Sequence, residues 1–333
     1  MVFFIKGWGN IESEKGNLIM KLSYVIPCYR SEKTIRMVID EIKETMKRDP
    51  SFDYEIVAIN DCSPDGVLDV LIELAKDNPS IKVIDFMQNF GKDSAVLAGL
   101  SIVDGEIAII LDDDYQCPTY EVYNLIKPII DGDADVTTAK YNDKKESKFK
   151  CFGSELYRVC AQSMLGMPKG IRTENFYAIS RPVYKKILDY KNPYPFLDGL
   201  ILRITKRVSS VAMEERNRGD DNATGFNFTK SVKMLVDGLT AFSVKPLRIA
   251  TVIGFFTALS GVIYLIITIL RFFVVPGGIT EGYSSLLTVL LFIGGILMMM
   301  IGILGEYVGR IYICINQSPQ YVIRNQYNIK EVL

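Results

Sequence analysis

Three consecutive carboxylates, Asp112, Asp113 and Asp114, directly follow the apolar stretch of residues 107–111. Like charges at neighbouring positions repel, and no basic side chain stands beside them in the sequence. On an extended segment alternate side chains share a face, so Asp112 and Asp114 point the same way and Asp113 elsewhere. Carboxylate oxygens suit Mg²⁺ or Mn²⁺, which bind a few protein ligands together with substrate phosphates. A metal site and a plain turn both fit this pattern, because an Asp-x-Asp pair alone is a weak signal.

The elements that position these aspartates alternate between strand and helix. Apolar runs predict strands over residues 22–28, 54–60, 81–86, 106–111 and 134–139, and helical spacing predicts helices over 32–46, 67–75, 91–103 and 120–130. Ser31 is the expected N-cap of the first helix. This alternation predicts an α/β domain with a mainly parallel sheet, whose ligands bind at the carboxyl ends of the strands. Polar clusters at 29–32, 61–65 and 112–116 fall at such ends.

Two uncharged apolar segments, residues 249–270 and 284–304, occupy the last third of the chain. Each is long enough to cross the roughly 30 Å hydrocarbon core of a bilayer as a helix. We therefore predict a transmembrane hairpin, and a pair of buried core helices is the alternative. Basic residues flank the outer ends of the two segments (Lys245, Arg248, Arg310 and Arg324). The positive-inside rule then places both termini and the α/β domain in the cytoplasm, with the hairpin in the plasma or inner membrane.

Composition excludes several kinds of chemistry. The chain has no histidine, and its six cysteines show no CxxC spacing. The usual Ser/His and Cys/His nucleophile systems are therefore absent, and a zinc site would need an unusual ligand set. No Gly-x-Gly-x-x-Gly follows the first strand, which argues against a dehydrogenase. The net charge is −1, and we expect no nucleic-acid partner.

Two basic stretches flank the aspartates in the sequence. Lysines dominate residues 140–150, which form either a solvated loop or an anion-binding flank. Residues 216–233 are also basic and lead into residues 228–248, whose apolar positions recur at helical spacing. An amphipathic helix just before a membrane span is typical of the bilayer interface, and packing onto the soluble domain is the alternative.

Four motifs resemble, in order and spacing, glycosyltransferase family 2 with its GT-A fold: SYVIPCYRSEKTI at 23–35, EIVAINDCSPDG at 55–66, QNFGKDSAVLAGL at 88–100 and LDDDYQ at 111–116. More narrowly, FSVKPLR at 242–248 and GILGEYVGRIY at 302–312 resemble the two-span bacterial polyprenyl-phosphate glycosyltransferases. The resemblance covers roughly residues 21–323. It implies the following domains: an N-terminal extension (1–20), a GT-A domain (21–227), an interfacial helix (228–248), two transmembrane helices (249–305) and a cytoplasmic tail (306–333).

The resemblance also implies roles for individual residues. Its nucleotide-binding positions are Pro27, Tyr29, Glu32, Asp61 and Lys92. Its metal ligands are Asp112, Asp114 and Gln116, for Mg²⁺ or Mn²⁺ on the donor diphosphate. Its positions near the phosphates are Lys150, Ser154, Arg216 and Arg218. The spacing that follows these arginines departs from the family pattern, so the choice between Arg216 and Arg218 stays open.

The implied reaction transfers a sugar, glucose first, from a nucleotide sugar to undecaprenyl or another polyprenyl phosphate, with inversion. A lipid monophosphate is largely ionised at neutral pH because its second pKa is about 6. The attack therefore needs no histidine base. UDP-glucose is the first donor to expect, ahead of UDP-N-acetylhexosamine and GDP-mannose. A processive polysaccharide synthase would carry a Gln-x-x-Arg-Trp signature, but the one tryptophan is Trp8.

Two further expectations concern partners. A non-catalytic scaffold or a lipid-linked-sugar translocation protein is the alternative from another functional class, and two spans are few for a translocation path. Gly305 and Gly309 have the small-xxx-small spacing of helix contacts, although flexibility explains them equally well. Because some members of the resembled group form tetramers, the resemblance implies a homo-oligomer. Met1 and Met20 are alternative translation starts.

Overall fold

The computed structural model describes residues 19–141, 175–193, 195–214, 216, 282–316 and 318–329, with isolated positions between 252 and 267. Its contacts divide the chain into two units. The first comprises Met1–Gly225 and Ser318–Leu333, and the second comprises Phe226–Gln317. Each unit is described by itself.

An eight-stranded sheet forms the centre of the first unit. Its strands are β1 Met20–Cys28, β2 Phe52–Asn60, β3 Ile81–Phe86, β4 Ile107–Ile110, β5 Val136–Tyr141, β6 Tyr177–Ser180, β7 Val208–Met213 and β8 Ile323–Tyr327. They lie side by side in the order β7-β5-β6-β4-β1-β2-β3-β8. Strands β1 to β4 pair in parallel, and among the described strands β6 and β8 run antiparallel to their neighbours. The predicted α/β class with a mainly parallel sheet is confirmed.

Helices connect these strands and cover both faces of the sheet. They are α1 Ile35–Met46, α2 Val67–Asp77, α3 Lys92–Ile102, α4 Val122–Ile130, α5 Arg181–Ile187 and α6 Leu197–Ile204. A short 3₁₀ turn, Thr119–Glu121, precedes α4. The prediction of Ser31 as the N-cap of the first helix is wrong, because that helix begins after Thr34. Residues 31–34 instead form a turn in which the amides of Thr34 and Ile35 both donate to the carbonyl of Ser31.

The central strands are apolar on both faces, as buried parallel strands require. In β1, Leu22, Tyr24 and Ile26 pack in the core that contains α1, α2 and α4. Val25 faces the opposite side, where α3 packs closely through Gly99. A Cβ atom at Gly99 would lie 2.4 Å from Val25 Cγ1, so only glycine permits this approach.

The register of the parallel strands brings three loops together. Val25 of β1 pairs with Val57 of β2 on one side and with Ile110 of β4 on the other. The chain therefore leaves β1, β2 and β4 at the same edge of the sheet. This edge is where ligands bind in open α/β folds.

Strand β8, which the sequence pattern did not predict, extends the sheet beyond β3. Its residues pair antiparallel with β3. Tyr321 stacks on Phe86 with ring centroids 5.4 Å apart. The Arg324 guanidinium donates to the carbonyl of Met87 at 3.0 Å, and Asn328 Nδ2 donates to the carbonyl of Ile81 at 2.9 Å. The C-terminal segment is therefore part of the first unit and fixes the end of β3.

The second unit contains α7, a helix of 34 residues that spans Gly282–Ile315. Its segment Phe292–Gly309 is long and apolar enough to cross a membrane, and it is the one such segment among the described residues. The predicted span 284–304 lies within α7, which continues past the predicted boundary at 305. The scattered described positions between 252 and 267 are helical. The remainder of the predicted first span, and the predicted interfacial helix 228–248, lie outside the described residues.

Glu55 holds the opposite, amino-terminal edge of the sheet together. Its buried carboxylate accepts hydrogen bonds from Ser23 Oγ at 2.6 Å, Lys82 Nζ at 2.6 Å and the Asp104 amide at 2.8 Å. Lys21 Nζ lies 3.3 Å away. Burial alone would raise the pKa of Glu55, but these donors lower it to about 2. The ionised carboxylate thus joins β1, β2, β3 and the turn before β4.

We expect Glu55→Gln to lower the free energy of unfolding at pH 7 by about 3 kcal/mol, because removing one partner of a buried ion pair leaves the other uncompensated. The folded-state pKa of Glu55 is depressed, so its stabilisation is complete above about 4.5 and is lost as the pH falls towards about 2. Denaturant unfolding of the detergent-solubilised chain across this pH range measures the effect. Glu44→Gln, which removes the exposed pair with Lys47, is the matched control. Equal stability of Glu55→Gln and wild type at pH 7 would contradict this role.

Candidate active site

Hydrogen bonds hold the loop after β1 to the loops after β2 and β4. The Tyr29 amide donates to Asp113 Oδ2 at 2.8 Å, and the Thr34 hydroxyl donates to the carbonyl of Asp113 at 2.6 Å. On the other side, the Arg30 amide donates to Ser63 Oγ at 2.7 Å. The Glu32 amide donates to Asp65 Oδ2 at 3.0 Å. Backbone groups at three strand ends are thereby fixed relative to one another.

Each of the three adjacent aspartates has a different partner. Lys92 Nζ donates to Asp112 Oδ1 at 2.5 Å. Asp113 accepts the bonds from the β1 loop, and its burial raises its pKa. Asp114 Oδ1 accepts from the Gln116 amide at 3.1 Å. Asp113 is therefore engaged by the protein itself, on the side of the β1 loop.

The donor chemistry of this loop fits a divalent metal. Asp112, Asp114 and Gln116 offer hard oxygen ligands, the type that Mg²⁺ and Mn²⁺ bind beside substrate phosphates. In the structure the Lys92 ammonium lies against Asp112, where a positive charge is favoured. Among the described residues no three His, Cys, Asp or Glu side chains form a complete metal cluster. Two carboxylates at a strand end are sufficient for a cation whose other ligands come from a diphosphate.

Asp61, at the end of β2, fixes the loop that leads into α3. Its Oδ1 accepts from the Phe90 amide at 2.7 Å, and its Oδ2 accepts from the Gly91 amide at 2.9 Å. Burial raises the pKa of Asp61, while these two amides lower it. Gly91 has a φ of +87°, a left-handed conformation that favours glycine. Asp61 therefore fixes the backbone directly before α3, whose first residue is Lys92.

Of the other predicted nucleotide-binding residues, Tyr29 and Glu32 lie on the loop after β1, near Asp61. Pro27 is buried within β1, whereas Tyr29 is 43% exposed. Glu32 Oε2 accepts from the Gly66 amide at 3.0 Å, at the amino terminus of α2. Its charge stabilises the positive end of that helix dipole. The structure thus brings Tyr29, Glu32 and Asp61 to one edge and leaves the Tyr29 ring accessible.

Arg216 lies beside the aspartate loop, but its guanidinium is bound to Glu41 of α1. Its Nη1 donates to Glu41 Oε2 at 3.1 Å, and its Nη2 donates to Glu41 Oε1. Of the other predicted phosphate-binding residues, Lys150, Ser154 and Arg218 lie outside the described residues. Their roles stay predictions.

An acidic pair that the sequence reasoning missed lies behind Lys92. Asp93 accepts from the Leu197 amide at 3.4 Å, next to Asp198 of α6. Burial, and then the charge of Asp198, raise the pKa of Asp93 to about 7. The two aspartates are far apart in the sequence, and only the fold brings them together.

The chain belongs to glycosyl transferase family 2, whose family model matches residues 23–188. A second model, the GtrB C-terminal hairpin, matches residues 245–311. The chain is thus a glycosyltransferase with a GtrB-type hairpin at its C-terminal side. The predicted α/β domain and family membership are confirmed.

Individual relatives cover nearly the whole chain. It is 33% identical to a bactoprenol glucosyl transferase of Shigella phage SfV, over 92% of this chain and 99% of that protein. It is 29% identical to the uncharacterized glycosyltransferase YkcC of Bacillus subtilis, over 93% of this chain and 95% of that protein. A solved glucosyl-3-phosphoglycerate synthase of Mycobacterium tuberculosis, in complex with Mn²⁺ and UDP-glucose, is 18% identical with a TM-score of 0.49 over 70% of this chain and 83% of that chain.

Substitutions of Asp113 and Asp112 should differ in their effect on metal-dependent donor binding. Asp113→Asn keeps an oxygen that accepts from the Tyr29 amide, so we expect it to retain donor binding and metal dependence. Asp113→Ala leaves that amide without its partner and should lower the free energy of unfolding by about 1–3 kcal/mol. Asp112→Asn removes a charge at the predicted metal site and should weaken metal-dependent donor binding.

Titration calorimetry with UDP-glucose and Mn²⁺, together with denaturant unfolding, distinguishes the three variants. If Asp113→Asn lost metal dependence as completely as Asp112→Asn, then Asp113 would be a ligand and not a brace.

Proposed function

We propose that this glycosyltransferase transfers glucose from UDP-glucose to a polyprenyl phosphate, undecaprenyl phosphate first, at the cytoplasmic face of the membrane. The observation that carries this proposal is the pair Asp112 and Asp114 at the end of β4, with Lys92 against Asp112. Similarity to bactoprenol glucosyl transferases over nearly the full chain supports both the sugar and the acceptor.

The donor occupies the edge where β1, β2 and β4 end. Asp112, Asp114 and Gln116 hold a divalent cation, Mg²⁺ or Mn²⁺, on the donor diphosphate. When bound, that cation supplies Lewis-acid stabilisation of the negative charge that develops on the leaving diphosphate. The nucleotide base lies against Pro27, Tyr29, Glu32 and Asp61. Exposure of the Tyr29 ring, in a loop otherwise fixed by hydrogen bonds, supports this placement.

Cationic residues bring the two anionic substrates together. Lys92, which lies against Asp112, would offset negative charge on the donor diphosphate beside the metal site. Family membership supports a role near the phosphates for Lys150, Ser154 and Arg218, which lie outside the described residues. Positive charge in a site that excludes water stabilises a transition state more strongly than in solution.

The reaction is a single displacement. An oxygen of the lipid phosphate forms a bond to the anomeric carbon as the bond from that carbon to the diphosphate oxygen breaks. Uridine diphosphate leaves with the bonding electrons, and the configuration inverts from an α-linked donor to a β-linked product. The acceptor phosphate is already ionised at neutral pH, so no protein base removes a proton.

Strand β8 supports the orientation of the membrane segment. It follows α7 in the chain and pairs with β3 of the first unit. This pairing supports an even number of membrane crossings between the α/β domain and β8. A span in residues 249–270 before α7 gives this even number.

The donor and acceptor are tested with membranes that contain the full chain, short-chain polyprenyl phosphate, Mg²⁺ or Mn²⁺, and a panel of radiolabelled nucleotide sugars. We expect a lipid-extractable product from UDP-glucose, which is lost with EDTA and in Asp114→Asn. Asp114→Asn should reduce the rate by at least about 100-fold, since it removes a metal-binding charge. No lipid product from any donor, with the protein folded, would favour a non-catalytic membrane protein.

The orientation is tested with epitope tags at residue 19, in the 272–281 connection and after Leu333. In sealed inside-out vesicles we expect the first and last tags to be accessible to protease and the middle tag to be protected. In right-side-out vesicles the pattern should reverse. Terminal tags on opposite sides of the membrane would contradict a two-span hairpin.

A further inference from the structure

Arg216 is fixed by a set of contacts from α1 and from the loop after β4, here called the arginine clamp: Glu41, Tyr115, Gln116, Thr119 and Tyr120. Two guanidinium nitrogens of Arg216 donate to the two carboxylate oxygens of Glu41. Its guanidinium carbon lies 4.3 Å from the ring centroid of Tyr115 and 5.1 Å from that of Tyr120. A bidentate ion pair and two aromatic faces leave the planar group one orientation.

One member of the clamp, Tyr115, lies between two predicted metal ligands. Tyr115 stands between Asp114 and Gln116, and its φ is +64°, a conformation that a bulky side chain rarely adopts. Such a residue persists only where its surroundings over-determine it, at a cost of about 1–3 kcal/mol. The Arg216 guanidinium against its ring is one of those surroundings. The Arg216 amide also donates to the carbonyl of Gln116 at 3.4 Å.

Glu41 is itself held in place for this contact. The Thr119 hydroxyl donates to Glu41 Oε2, and the Tyr115 hydroxyl donates to Glu41 Oε1 at 3.5 Å. The side chains of Glu41 and Arg216 are 16% and 26% exposed, so bulk solvent screens the pair only partly. Hydrogen bonding to Glu41 raises the pKa of Arg216, which favours the charged guanidinium of the clamp.

We propose that Arg216 is a positioning residue, which acts through Tyr115 and Gln116 to hold Asp114 and Gln116 where they take up the metal–nucleoside diphosphate. This inference rests on the proposed function, because it presupposes a metal-dependent donor site. It assigns different work to the two arginines that the sequence left open. Arg216 shapes the loop, and Arg218 stays the arginine predicted to contact the phosphates.

Glu41 separates this role from direct phosphate contact. If the Arg216 guanidinium bound the donor phosphates, loss of Glu41 would release it, and donor affinity would be unchanged or higher. If Arg216 positions the loop, loss of Glu41 should weaken donor binding as much as loss of Arg216. The two substitutions then remove one unit, so the double variant should be no weaker than either single variant.

The experiment measures UDP-glucose binding to the full chain in detergent by titration calorimetry over a series of Mn²⁺ concentrations. For Arg216→Gln, Glu41→Gln and the double variant we expect the half-saturating Mn²⁺ concentration to rise by about tenfold or more, as for outer-shell partners of metal ligands. Glu44→Gln on the same helix is the matched control and should match wild type. Since Glu44 pairs with Lys47 on the surface, it reports any general effect of lost charge on α1.

A second pair of variants separates positioning from folding. Tyr115→Phe keeps the ring against Arg216 but loses the hydroxyl bond to Glu41, so its Mn²⁺ requirement should rise less than that of Tyr115→Gly. Tyr115→Gly removes the ring and relieves the left-handed backbone, so its Tm should stay close to wild type while its Mn²⁺ requirement rises. This result would support the proposal even if the Glu41 and Arg216 variants failed to fold.

Two outcomes would overturn the proposal. One is a Glu41→Gln variant that binds UDP-glucose as tightly as wild type while Arg216→Gln does not. The other is a Tyr115→Gly variant with unchanged Mn²⁺ dependence. A wild-type chain that binds UDP-glucose without any metal dependence would instead contradict the proposed function, and the two failures are thereby distinguishable.

Discussion

Repulsion among three adjacent carboxylates is the constraint around which this active-site edge is arranged. The loop after β4 is stable because Asp112, Asp113 and Asp114 do not share one environment. Lys92 of α3 neutralises the first, the amide of Tyr29 engages the second, and the amide of Gln116 contacts the third. The partners of Asp112 and Asp113 come from distant parts of the chain, so these two charges also tie those parts to the loop. A loop that is proposed to bind a cation is thereby held in place by the same charges that would otherwise disrupt it.

The supporting interactions form two layers around this loop. Close to it, Asp61 fixes the start of α3 and so the position of Lys92. Further out, Glu41 and Arg216 hold the strained Tyr115 from the side of α1. Both layers use charged groups bound to backbone or aromatic partners, and both leave the exposed ring of Tyr29 accessible. The rigid sheet beneath, closed at its other edge by Glu55, gives these contacts a fixed base.

The sequence pattern predicted those strands and helices that depend on residues close together in the chain. Alternation of apolar runs and helical spacing located β1 to β5 and α1 to α4, and strand ends located Asp112 and Asp114. Contacts between distant segments were beyond this reasoning: Arg216 and Glu41 are 175 residues apart. Strand β8 has the sequence IRNQY, which lacks apolar alternation and forms a strand only because β3 offers an unpaired edge. The misplaced Ser31 cap has a similar cause, since Asp113 holds the turn that delays the start of α1.

Strand β8 also determines the order in which the protein can be completed during synthesis. Translation delivers β1 to β7 first, then the apolar helix α7, and only then the residues that cover the edge of β3. Until those residues emerge, β3 presents an unpaired edge, which in other proteins invites pairing with foreign strands. Phe86 then lacks the stacked ring of Tyr321, and the carbonyl of Met87 lacks the guanidinium of Arg324. The segment that leads from β3 to Lys92 is therefore finished last, so the nascent chain acquires its complete sheet only after its membrane segment has been made.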